Sequence, residues 1–124
     1  MAKRILLVED EDLLIEVLEK RLLKEGYEVV IARDGEEGLS KMREMDPKPD
    51  LILLDIIMPK KDGYEVMEEM KKDENLKNIP VMVISNSGQP VELDKAKELG
   101  AKDWIIKTDF NPDEVVEKVK RLIG

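Results

Sequence analysis

The chain has 124 residues, with 21 Lys and Arg against 29 Asp and Glu, a formal charge of −8, and no Cys or His. That length suits one domain with its own core. Without Cys or His there is no disulfide, thiolate zinc site, phosphocarrier imidazole or Ser-His-Asp or Cys-His catalysis, so any chemistry falls to carboxylates, hydroxyls, lysine and backbone. The acidic balance disfavours nucleic acid and anionic membranes as partners. No apolar stretch nears the roughly 20 residues of a membrane span. The apolar run after Met1-Ala2-Lys3-Arg4 is too short for a signal-peptide core. A cytoplasmic protein is expected.

Ile5-Leu6-Leu7-Val8 is a continuous apolar run, as a strand buried on both faces requires. Leu14, Val17, Leu18 and Leu22 then recur at helical spacing until Gly26 supplies a stop. Val29–Ala32 reads as a second strand. Asp34 is placed to cap a helix running to about Met45, with Leu39 and Met42 inward, and Pro47 and Pro49 forbid its continuation. Leu51–Leu54 is a third strand ending at Asp55. Asp62-Gly63 opens a helix carrying Val66, Met67 and Met70. Val81–Ile84 is a fourth strand ending at Ser85, and Pro90 suits the first position of a helix that closes at Gly100. Trp104–Ile106 is a short fifth strand ending at Lys107. Asn111-Pro112-Asp113-Glu114 opens the last helix, whose apolar stripe runs from Val115 to Ile123.

The pattern is (βα)5, which implies a doubly wound α/β domain: a parallel sheet with helices on both faces. Domains of this kind commonly order their strands 2-1-3-4-5. Residues 1–124 are expected to form a single domain, without linker, repeat or output domain.

In an open parallel sheet, ligands gather at the carboxyl ends of the strands. Glu9, Asp10, Glu11 and Asp12 follow strand one, Asp55 strand three, Ser85, Asn86 and Ser87 strand four, and Lys107, Thr108 and Asp109 strand five. The assumed order brings Glu9, Asp10 and Asp55 to one edge, with Ser85 and Lys107 on the far side. Clustered carboxylates repel, and a hard divalent cation relieves them. Mg²⁺ takes one or two carboxylates plus waters and phosphate oxygens. Lysine adds a point charge for a phosphoryl oxygen, serine a hydrogen bond, and an aspartate can attack phosphorus. Taken singly, each residue also reads as an ordinary strand-end cap, surface charge or packing group.

The chain resembles the receiver domains of response regulators in two-component signalling, including the chemotaxis regulators, over essentially its whole length. The resemblance rests on Ile5–Glu11, on Asp50–Pro59 with Asp62-Gly63, on Ile79-Pro80 leading to Ser85, and on Gly100–Lys107. It implies a flavodoxin-like three-layer sandwich. It implies Asp55 as phosphoacceptor, Asp10 as direct Mg²⁺ ligand, Glu9 acting through water, and the Ile57 carbonyl as a further ligand; Mn²⁺ is an alternative ion. Ser85 and Lys107 would hold the phosphoryl oxygens, and Ser85 with Trp104 would form the switch. The implied donor is a phosphohistidine on a sensor histidine kinase or phosphotransfer protein, and the read-out a downstream target protein at helix four, strand five and helix five. No nucleic acid or membrane partner is expected, and the chain would be a monomer or weak dimer.

Three positions depart from the family's usual residues: Thr108 where proline follows the lysine, Asn86 where a small residue is common, and Trp104 where Tyr or Phe is common. A smaller or reshaped switch surface is expected. Among rival readings, an aspartate-nucleophile phosphatase needs an acid at Ile57, which cannot transfer protons. A flavin site would be repelled by Glu9-Asp10-Glu11-Asp12. A scaffold of the same fold that no longer takes a phosphoryl group stays open. The chain is expected not to be an enzyme, beyond slow self-dephosphorylation.

Overall fold

Three apolar runs explain the middle of the molecule. Every residue of β3 (Leu51–Asp55) and β4 (Val81–Ser85) is buried, as are Ile5 to Val8 of β1 (Arg4–Val8). Such strands are stable only when covered on both faces. Each buried Leu or Ile contributes about 2 kcal/mol by leaving water. In this computed structural model, which describes residues 2–124, the remaining elements are α1 (Asp12–Lys24), β2 (Glu28–Ala32), α2 (Gly35–Glu44), α3 (Gly63–Lys71), α4 (Pro90–Glu98), β5 (Asp103–Ile106) and α5 (Pro112–Ile123).

The sheet has the order β2-β1-β3-β4-β5, parallel throughout, as expected of a flavodoxin-like doubly wound domain. Alternation along the strands divides the core in two. Leu6, Val8, Ile52, Leu54, Val81 and Val83 meet Leu39, Met42, Val66, Met67, Met70 and Ala96 of α2, α3 and α4. Ile5, Leu7, Leu51, Leu53, Met82 and Ile84 meet Ile15, Leu18, Leu22, Val115 and Val119 of α1 and α5. Helix α4 is the least anchored: Ala96 is its one fully buried residue.

The caps fall where the sequence places them. Asp34 accepts from the Glu37 N–H at 2.8 Å. Asp62 and Glu65 form a reciprocal capping box. Asn111 accepts from the Asp113 N–H at 2.9 Å, with Pro112 at the first helical position. Gly26, at φ +93°, ends α1 in a conformation that needs no Cβ.

Boundaries differ by a residue at several ends. Strands β1, β2 and β5 begin earlier than their apolar runs, at Arg4, Glu28 and Asp103. Backbone pairing continues past the apolar residues there, as in Arg4↔Glu28 and Met82↔Asp103. Helix α4 ends at Glu98, and Gly100, at φ +104°, lies beyond it. After β5 the chain makes a single 3₁₀ turn over Lys107–Asp109, with exposed Thr108 inside it, before Asn111 starts α5.

Candidate functional site

Register brings the strand ends together. Val8 pairs with Leu54, Asp55 with Ile84 and Ser85 with Ile106. The next residue after Val8, Glu9, is still held to the sheet, its N–H donating to the Ala32 carbonyl at 2.9 Å. Helix α3 is drawn tight against the end of β3. The Gly63 N–H donates to the Ile56 carbonyl at 2.8 Å. A Cβ at Gly63 would lie 2.6 Å from the Asp55 carbonyl oxygen.

The acidic cluster forms as expected. One carboxylate oxygen from each of Glu9, Asp10 and Asp55 lies within 4.8 Å of the others. Asp55 is 1% exposed and Glu9 fully buried, while Asp10 faces solvent. Glu9 Oε2 accepts from the Asp10 and Glu11 N–H groups, each at 3.0 Å. Asp55 Oδ1 accepts from the Ile57 N–H at 3.1 Å, which sets the Ile57 backbone beside the carboxylates.

Lys107 follows β5, and its long stem carries the ammonium from that side into the acidic group. Nζ lies 2.9 Å from Asp55 Oδ2, 2.9 Å from Glu11 Oε2 and 3.4 Å from Glu9 Oε1. Glu11 is thus part of the site, a role that a run of four successive acids cannot assign to one member.

Charge is finely set here. Burial, reinforced by the Asp55 charge against the hydrogen bond from Glu11, pushes the Glu9 carboxyl up to about 7. Burial also raises Asp55, and the hydrogen bond from Lys107 offsets part of that rise. Burial alone would lower Lys107, but its bonds to Glu11 and Asp55 hold it above the ordinary lysine value. Glu9 Oε1, though buried, has no hydrogen-bond partner among the described residues, and only the Lys107 ammonium, at 3.4 Å, faces it with positive charge. An unbonded buried carboxylate oxygen among three carboxylates suits a hard divalent cation, and all-oxygen donors favour Mg²⁺ or Mn²⁺ over softer metals.

Ser85 is fully buried but is not bonded to Asp55. Its Oγ donates to Glu92 Oε1 at 2.8 Å and accepts from the Gly88 N–H at 3.0 Å. Trp104 is half-buried and packs on the core shared by α2, α3 and α4. It pairs with Val83, two residues before Ser85, so pleat parity puts both side chains on the α4 face. Lys118 Nζ donates to the Trp104 carbonyl at 2.6 Å and lies 5.8 Å from the ring centre. An open hollow of about 470 Å³ adjoins Lys107, with Leu13, Leu14, Val17 and Phe110 forming its apolar part and Glu11, Asn86 and Thr108 its polar rim. Sequence reasoning missed this hollow and Glu92, because both depend on how α1 and α4 lean over the strand ends.

The family model for the response regulator receiver domain matches residues 5–120. The chain is similar to the alkaline phosphatase synthesis transcriptional regulatory protein PhoP of Bacillus subtilis, 37% identical over 99% of this chain and 49% of that protein. It spans about half the length of the curated relatives it matches. It also resembles two solved structures. One is the receiver domain of the sensor histidine kinase PA1611 from Pseudomonas aeruginosa, which holds a magnesium ion in its active-site cleft (TM-score 0.89, 27% identity, 100% of this chain and 99% of that one). The other is the phosphorylated cyanobacterial phytochrome response regulator RcpA (TM-score 0.82, 38% identity, 98% and 91%). The family match covers nearly the whole chain, and the strand order brings Glu9 and Asp10, which follow β1, to Asp55 of β3 at one edge. On these grounds the chain belongs to the receiver-domain family of the response regulators of two-component systems.

Proposed function

We propose that Asp55 accepts a phosphoryl group from a phosphohistidine of a sensor histidine kinase or phosphotransfer protein, and that Ser85 and Trp104 pass the change to the face formed by α4, β5 and α5. The observation that carries this reading is the Asp55 carboxylate itself. It is buried at the strand edge, with the Lys107 ammonium at 2.9 Å and two further carboxylates in its cluster.

In the transfer, an Asp55 carboxylate oxygen bonds to phosphorus as the donor's nitrogen–phosphorus bond breaks, and the imidazole leaves with the bonding pair. Glu9, Asp10, Asp55 and the Ile57 carbonyl are the groups that would hold Mg²⁺, or Mn²⁺ in its place. When bound, the ion neutralises charge on the phosphoryl oxygens. Lys107 favours the anionic form of Asp55 and stays within reach of the added oxygens. Ser85 donates a hydrogen bond to one of them. Ile57, with no proton to transfer, leaves hydrolysis of the acyl phosphate slow, so the chain acts as a switch rather than a phosphatase.

The apolar part of the hollow beside Lys107 supports a protein donor, since a small phosphodonor would have no use for exposed Leu13, 74% accessible, or for Phe110. Incubation with acetyl phosphate and Mg²⁺ tests the reading. The intact mass should rise by one phosphoryl group, and Asp55→Asn should abolish the gain. An unchanged wild-type mass would leave only a binding scaffold of the same fold.

A further inference from the structure

We infer that Glu92, in the first turn of α4, is a positioning residue that holds the Ser85 hydroxyl away from Asp55 and so sets how readily the switch turns. The inference rests on the phosphoacceptor reading of Asp55 and on Ser85 turning toward the phosphoryl group.

A serine hydroxyl has a single hydrogen to donate. In the unmodified protein that hydrogen goes to Glu92 Oε1 at 2.8 Å, while the Gly88 N–H occupies the oxygen at 3.0 Å. Ser85 cannot bond a phosphoryl oxygen and Glu92 with the same hydrogen, so the two arrangements exclude each other. The acceptor is a carboxylate, and hydrogen bonds to charged groups are about twice as strong as neutral ones. Ser85 is fully buried, so little water competes for the bond.

Glu92 is itself held in place. The Tyr64 hydroxyl of α3 donates to the Glu92 carbonyl at 3.1 Å, pinning the first turn of α4 to α3. The Lys95 ammonium lies 4.4 Å from the centre of the Tyr64 ring, on the next turn of α4. Release of Ser85 therefore removes one of the few bonds that hold the amino-terminal end of α4, the helix whose one fully buried residue is Ala96. The side chain that holds Ser85 also lies on the element whose surface must change. Glu92 is coupled to the reaction through Ser85 and does not touch the reacting atoms.

Titration with beryllofluoride in excess Mg²⁺, followed by the ¹⁹F signal of the bound fluoride, tests this. Glu92→Ala should lower the midpoint roughly tenfold, since the resting state alone loses a bond. Glu92→Gln keeps a neutral acceptor and should lower it by less, about threefold. It also serves as the second variant if Glu92→Ala folds poorly. In a Ser85→Ala background, Glu92→Ala should leave the midpoint unmoved, which a purely structural role for Glu92 would not produce. A wild type that binds, with Glu92→Ala and Glu92→Gln both unshifted, overturns the inference and leaves Asp55 as the acceptor. An equal shift with and without Ser85 overturns it as well. A wild type that takes up neither beryllofluoride nor, by mass, a phosphoryl group brings down the phosphoacceptor reading and this inference together.

Discussion

The Lys107 ammonium lies 2.9 Å from Asp55 Oδ2 and is shared with Glu9 and Glu11, so the buried acids carry a counter-ion supplied by the chain itself. Removing that ammonium leaves two buried carboxyls without compensation, a change that costs about 3–5 kcal/mol in fully buried pairs. Lys107 keeps some solvent contact, and Glu9 can take up a proton. We therefore expect Lys107→Met in EDTA at pH 8 to lose about 2 kcal/mol by denaturant unfolding. Millimolar Mg²⁺ should restore most of it, while acetyl phosphate labelling stays at least about tenfold slower. A variant as stable as wild type in EDTA would show that the lysine does not serve as counter-ion.

Glu9 predicts an unusual pH profile for the metal-free protein. Its carboxyl sits at about 7 when folded and 4.5 as a free side chain. Between those values the folded state binds more protons than the unfolded state, so stability falls as pH rises. The contribution is fully present below 4.5 and lost through 7, and it amounts to about 2–3 kcal/mol. Glu25, Glu37 and Glu69 run the other way. Hydrogen bonds from Lys120, Lys41 and Lys61 hold them below their usual range, so they weaken the fold only at more acid pH. The unfolding free energy in EDTA should decline between pH 5 and 7.5, and Glu9→Gln should flatten that slope. A level wild-type curve would remove the claim.

Gly63 ties α3 to the acceptor strand. An added Cβ would meet the Asp55 carbonyl oxygen at 2.6 Å and Ile56 Cα at 2.9 Å, both backbone atoms that cannot turn aside. Gly63→Ala should cost about 1–3 kcal/mol by overpacking and slow labelling of Asp55. Gly26→Ala serves as the comparison. It meets no atom of the described residues within 4 Å, and its cost comes from φ +93°, with no effect on labelling. Equal labelling of both variants would dissociate the α3 junction from the site.

Trp104 is the lone tryptophan, so its fluorescence reports one position. It stands half-buried on the same face as Ser85, with Lys118 bonded to its carbonyl. Beryllofluoride with Mg²⁺ should reduce quenching of this residue by acrylamide as the ring turns inward. Ser85→Ala should blunt the change. Quenching that is identical with and without beryllofluoride would exclude the indole from the switch.

The order of elements was readable because five apolar runs alternate with amphipathic ones, and capping residues such as Asp34, Asp62 and Asn111 mark helix starts whatever surrounds them. The acids were readable for a related reason: Glu9, Asp10 and Asp55 follow directly on buried strands, so strand order alone brings them together. Lys107 and Ser85 were placed in the right region, but their bonds to Glu11 and to Glu92 were not foreseen. A lysine stem can swing either way, and a hydroxyl bonds to whatever acceptor tertiary structure offers. Glu92 carries no local signal at all. In sequence it is one acidic residue in a helical first turn, where acids are common for dipole reasons.

Helix α4 touches the interior through Ala96, while α2 and α3 each bury four residues. A single added phosphoryl can bias an equilibrium by only a few kcal/mol. A panel hung by so small a hinge needs no more than that to shift, whereas α2 or α3 would have to tear out of the interior. Amide hydrogens of α4 should therefore exchange with deuterium sooner than those of the other helices, marking in advance which wall of the domain is built to give way.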